Sequence, residues 1–150
     1  MANYSIFVGR FQPPHNGHLN TLKYINEQAK KDQSTCYIGL THTNDNKDNP
    51  LKFKDKFKFV TLMAKPYKNI TIYSKPVYTI YEFIRDVAFE CDKSGGGTVK
   101  FYAGSDRVPS YQKLTDQLLK KYQSRNELND VKIEVVEAAV RNSSSTYSAT

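Results

Sequence analysis

The chain holds only two cysteines in 150 residues, Cys36 and Cys91, far apart and outside any Cys-x-x-Cys or Cys/His spacing. That excludes a disulfide framework and a zinc signature, and both thiols read as small buried hydrophobes of a reducing compartment. No apolar run approaches the roughly 20 residues that cross a bilayer. Met1 to Ser5 lack the basic and long apolar stretches of a secretion signal. The expectation is a cytoplasmic protein with no membrane partner, in which the sequon Asn69-Ile70-Thr71 has no meaning. Acidic side chains are the minority, 15 against 22 Lys and Arg, for a net charge of +7. This balance favours anionic partners, but without an arginine-rich tail a nucleotide accounts for it as well as nucleic acid does. Ser94-Gly95-Gly96-Gly97 is not followed by Lys-Ser or Lys-Thr, so it reads as a flexible connector rather than a phosphate loop. There is no internal repeat, and the length suits one domain over residues 1–150.

What is present is an alternation of short apolar runs and helical periods. Tyr4 to Val8, Thr35 to Thr41, Ile70 to Ser74, Val99 to Ala103 and Val131 to Val136 read as strands. Leu22, Ile25 and Ala29 set an amphipathic helix over 16–31. Phe53, Phe57, Val60 and Ala64 set a second over 52–65. In this stretch Asp55 breaks the Lys/Phe alternation that would otherwise suit a strand. Pro76 opens a third, with Ile80, Ile84, Val87 and Cys91 on its stripe, and a fourth covers 109–123. Five strands separated by helices argue an α/β fold with a parallel sheet built by right-handed crossovers.

The densest chemistry is in Gly9-Arg10-Phe11-Gln12-Pro13-Pro14-His15-Asn16-Gly17-His18, between the first strand and the first helix. Gly9 is expected to let a ligand approach the backbone, and the prolines stiffen the turn. Asn16 fits an N-cap, so the helix N-terminus offers an anion site with His15 and His18 on one side of its first turn.

This stretch resembles the HxGH nucleotidyltransferases, a cytidylyltransferase-like family, and in particular nicotinamide-mononucleotide adenylyltransferases and short phage-encoded nucleotidyltransferases. The resemblance implies a Rossmann-like three-layer domain with strand order 3-2-1-4-5. It implies transfer of a nucleotidyl group, adenylyl or cytidylyl, from a nucleoside triphosphate with Mg²⁺ to a small phosphorylated acceptor. His15 and His18 would stabilise the reacting phosphates, Arg10 and Lys56 would assist, and Gly9, Phe11, Gly17, Gly104 and Asp106 would border the nucleotide. No resident metal is implied. At the position of Lys56 the relatives carry Arg, and lysine replaces a forked guanidinium by a point charge. Gly104-Ser105-Asp106-Arg107 is closer to the phage proteins than to the archaeal enzymes. The family's second signature, Ser-x-Thr-x-x-Arg opening a last helix, aligns with Ser148-Ala149-Thr150, which puts its arginine past the last residue, or with Ser144-Ser145-Thr146, which puts Ala149 near its place. Under either the arginine and the helix are missing, Arg141 is the candidate substitute, and the alternative is a disordered serine-rich tail.

Thr41-His42-Thr43-Asn44 has two readings, contact with phosphates or acceptor and ordinary loop polarity. Lys52, Lys54 and Lys58 read as a solvated face. Three function classes stand: an adenylyltransferase-like enzyme, a nucleotide-binding module degenerate at its last signature, and, less favoured, RNA binding through the eleven tyrosines. Oligomeric state is not legible.

Overall fold

The structure is a computed structural model that describes residues 2–11, 16–42 and 52–138. In chain order it contains β1 (Ala2–Gly9), α1 (Asn16–Asp32), β2 (Thr35–Leu40), α2 (Phe53–Met63), β3 (Ile70–Ile72), α3 (Ile80–Lys93), β4 (Gly97–Ala103), α4 (Val108–Gln123) and β5 (Val131–Glu137). The strands form one parallel sheet in the order β3-β2-β1-β4-β5, as the resemblance implies.

Each strand sends alternate residues to opposite layers, the consequence of a period of two. Tyr4 and Ile6 of β1 join Val99 and Phe101 of β4 against Phe83, Ile84, Val87 and Cys91 of α3 and Leu118 of α4. Phe7 and Tyr102 face the other way, with Leu22, Ile25 and Ala29 of α1, Ile38 and Leu40 of β2 and Val60 of α2. Leu22, Ile25, Ile38, Leu40 and Ile84 are fully buried, each contributing about 1.5–3 kcal/mol. Both cysteines are free and buried, and burial pushes the Cys36 thiol up to about 12. On α2, Lys52, Lys54 and Lys58 are exposed.

Two local expectations are corrected. The third helix begins at Ile80, not at Pro76: Thr79 caps it, its hydroxyl accepting the Glu82 N–H at 3.0 Å. Val77 is extended instead, bridging to Thr41 and donating its N–H to Leu40 O. The glycine connector is not loose either. Gly97 opens β4 opposite Ala2 with φ +147°, and a Cβ there would collide with the Ala2 carbonyl, so glycine is demanded by close packing.

Candidate functional site

The chain builds β1, β2 and β3 outward, then crosses back to lay β4 on the other side of β1, so β1 and β4 flank a topological switch point. Open α/β sheets leave a crevice beyond the carboxyl ends of the strands at such a point. Here a cavity of about 140 Å³ lies between the ends of β1 and β4, with Val8, Ile80, Ala103, Gly104, Asp106 and Arg107 in its wall. The first turn of α3 therefore borders the crevice. Starting the helix at Pro76 hides this, although the Thr79-x-x-Glu82 pattern was there to signal it.

Just past the end of β1, Phe11 is fully buried with φ +50°, a conformation that bulky side chains avoid. Its ring centroid lies 4.3 Å from that of His18, at an interplanar angle of 42°. A Cβ on Gly9 would come within 2.5 Å of Phe11 Cε2. The space in which a Gly9 side chain would stand is thus filled by the Phe11 ring. Phe11 in turn is a core residue that supports the imidazole. His18 itself is only 2% exposed. Gly17 precedes it in the first turn of α1, and its carbonyl accepts from Thr21 Oγ1 at 3.1 Å. The helix starts at Asn16. His15, Ser148, Thr150, Arg141, Thr43 and Asn44 lie outside the described residues.

Lys56 projects from α2 into the same end of the sheet and is fully buried. Its Nζ donates to Thr41 O at 2.5 Å and to Thr41 Oγ1 at 3.2 Å, while Thr41 N–H donates to Gly9 O at 3.2 Å. Burial, and secondarily the charge of Arg10, pull the Lys56 ammonium down to about 8. One network thus joins the ends of β1 and β2 to α2 and brings Arg10 and Lys56 together. Burial sets Lys56 apart from the exposed lysines of its helix.

A stability consequence follows. Between pH 8 and the ordinary 10.5 of lysine the folded chain holds fewer protons at Lys56 than the unfolded chain. The contribution of Lys56 to stability therefore rises with pH across that window, and the cost of burying its charge is full below it. The difference in unfolding free energy between wild type and Lys56→Met is expected to grow by up to ~1.4 kcal/mol per pH unit there. Taking the difference removes the opposing drift from the tyrosines and Cys36. Denaturant titrations of both proteins across the window check it, and parallel pH profiles would refute the buried ammonium.

On the β4 side, Gly104 O accepts the Arg107 N–H at 2.9 Å, turning the chain into α4, and Asp106 is exposed on that turn. A Cβ on Gly104 would sit 3.2 Å from Asp106 Oδ1, so the small residue leaves room for the carboxylate. Further along the rim His42 is exposed, its ring 4.6 Å from that of Tyr78, which is 63% exposed. Tyr78 escapes sequence reasoning because it falls inside the supposed helix. Among the described residues no three His, Cys, Asp or Glu side chains cluster as a metal site.

A family model described as cytidylyltransferase-like matches residues 6–149. The nicotinamide-nucleotide adenylyltransferase of Methanococcus aeolicus is 30% identical over 76 residues, 51% of this chain and 42% of that protein. The enzyme of the same name from Thermococcus sibiricus is 34% identical over 55 residues, 37% of this chain and 28% of that protein. The chain thus spans less than half the length of these curated relatives. Two structures of Plasmodium falciparum nicotinic acid mononucleotide adenylyltransferase share the fold. The complex with NaAD has a TM-score of 0.52 at 16% identity, covering 73% of this chain and 55% of that one. The complex with APC has a TM-score of 0.54 at 14% identity, covering 91% and 75%. With the family model spanning nearly the whole sequence over the strand order and switch-point crevice described above, the chain belongs to the cytidylyltransferase-like family.

Proposed function

We propose that this chain is a nucleotidyltransferase that moves an adenylyl group from MgATP to a phosphate-bearing acceptor of the nicotinamide-mononucleotide type. The observation that carries the reading is the pair of features just past the ends of β1 and β2: a buried histidine held against the Phe11 ring, and Lys56 anchored on Thr41 within the field of Arg10. A phosphate oxygen of the acceptor attacks the α-phosphorus, the bond from that phosphorus to the bridging oxygen breaks, and pyrophosphate leaves with the electron pair. The attacking phosphate is already ionised, so no general base is required. Catalysis then comes from positioning and from charge stabilisation. His18 and Arg10 meet the charge that develops on the phosphates, and a triphosphate beside Lys56 draws its pKa back up, so the lysine is charged in the complex. Asp106 and Gly104, on the facing wall, suit hydrogen bonding to ribose or to an amino group of the base. Magnesium arrives as part of the triphosphate. His15, Ser148 and Thr150 keep the roles that the resemblance implies for them, and the cytoplasm is the compartment that suits these substrates.

Because His18 is nearly fully buried, the reading requires the imidazole to become accessible as nucleotide binds. The test is pyrophosphate release from each of the four triphosphates, with and without nicotinamide mononucleotide, its acid analogue and other phosphorylated acceptors. Release that depends on both ATP and a mononucleotide supports the proposal. Tight binding with no release for any pair would make the chain a nucleotide-binding module, and preference for CTP would change the donor.

A further inference from the structure

We infer that the chain pairs with a second copy of itself across the β3 edge of the sheet, the basic apolar face of α2 in each copy docking on an acidic aromatic groove beside α3 in the other. Among the described residues Phe59 and Leu62 are exposed by 48% and 59%, and they stand three apart on α2. Lys54 and Lys58 of the same helix and Lys65 just after it are exposed, and among the residues of α2 Asp55 is the one carboxylate.

On the opposite layer α3 packs over β1, β4 and β5, so among the described residues no helix covers β2 and β3 there, and the sheet presents half-buried Tyr37 and Tyr73. A groove of about 260 Å³ opens there, floored by Tyr73, Val77 and Phe83 and walled by Glu82 and Asp86. The Tyr73 and Phe83 rings meet edge-on at 5.0 Å. Glu90 extends the acidic row one turn further and accepts from Tyr37 Oη at 2.7 Å. Lys75 lies at the rim, and Arg85 is paired with Asp86 at 3.3 Å.

In a chain of net charge +7, an acidic row beside exposed aromatic surface is the local exception, and the lysine-flanked Phe59 and Leu62 are its complement in both charge and polarity. Among the described residues β3 is an edge strand of three residues, with α2 on one face of its neighbourhood and the groove on the other. A two-fold axis beyond β3 and parallel to the strands therefore sets α2 of each copy beside the groove of the other, closing the pair with the same contact made twice. An axis perpendicular to the sheet would instead oppose lysine to lysine, which the charges disfavour.

Sedimentation of the full chain over a range of concentration is the test. Wild type is expected to dimerise in low salt and to dissociate more readily in high salt. Lys54→Glu with Lys58→Glu, and separately Glu82→Lys with Asp86→Lys, should each give monomers, while an equimolar mixture of the two variants should dimerise, since both contacts are then attractive again. Leu62→Ser, at an exposed position that the fold does not use, should weaken association at least about tenfold. A wild type monomeric at every concentration, or a charge variant that still dimerises alone, overturns the inference. A monomeric wild type that sediments with vesicles of anionic lipid would assign the α2 face to a lipid surface instead.

Discussion

His18→Ala is expected to lower turnover by about 10²–10³-fold while changing triphosphate affinity far less. In the proposed reaction the imidazole's charge partner is the oxygens of the reacting phosphates, which carry their greatest charge in the transition state, and an interaction made mainly there appears in kcat rather than in binding. Steady-state kinetics beside calorimetric titration with ATP separates the two. Equal losses in rate and affinity would make His18 a ground-state ligand, and full activity would remove it from the reaction. Since His18 is 2% exposed, the unfolding midpoint of the variant is measured as well, and His18→Asn, which keeps a donor on a shorter side chain, tests whether lost activity is lost packing.

The second large effect is expected at a residue without chemistry of its own. Phe11→Ala removes a fully buried ring and should destabilise the chain by about 3–5 kcal/mol, and because alanine keeps a Cβ the strain of φ +50° stays in place. Phe11→Leu separates support from stability. It refills most of the volume, for a loss of about 1.5 kcal/mol or less, but cannot present a flat face 4.3 Å from the imidazole. Turnover in Phe11→Leu should therefore fall by more than its small stability loss explains, with affinity little changed. Unfolding curves and kinetics on the same preparation check this, and a fully active Phe11→Leu would show that the ring fills space and does not position His18.

Much of the architecture was legible because each segment had one period and one burial pattern. Alternating apolar strands and amphipathic helices leave few arrangements, and the placement of α1, α2 and α4 follows from their stripes. The order of the strands came from the resemblance, because periodicity says which face is buried and not which strand lies beside which. Element boundaries failed where a local signal met a competing one. Pro76 suits a helix start, yet Thr79 with Glu82 suits it better, and Val77 gains a bridge to Thr41 by staying extended. Three consecutive glycines suggest looseness, but Gly97 is there because Ala2 passes too close for any side chain.

The candidate site divides in the same way. The sequence by itself determined which groups are available: His15 and His18 of the Gly9 to His18 stretch, Arg10, Lys56, and the Gly104 to Arg107 stretch. Only the tertiary structure decided what each touches. Gly9 is small for Phe11, Phe11 is strained and buried beneath His18, and Lys56 is anchored to Thr41 beside Arg10 with its pKa lowered. These contacts join residues as far apart as Gly9, Thr41 and Lys56. Contacts of that kind arise when strands pair and layers close, and no local pattern of residues encodes their distances.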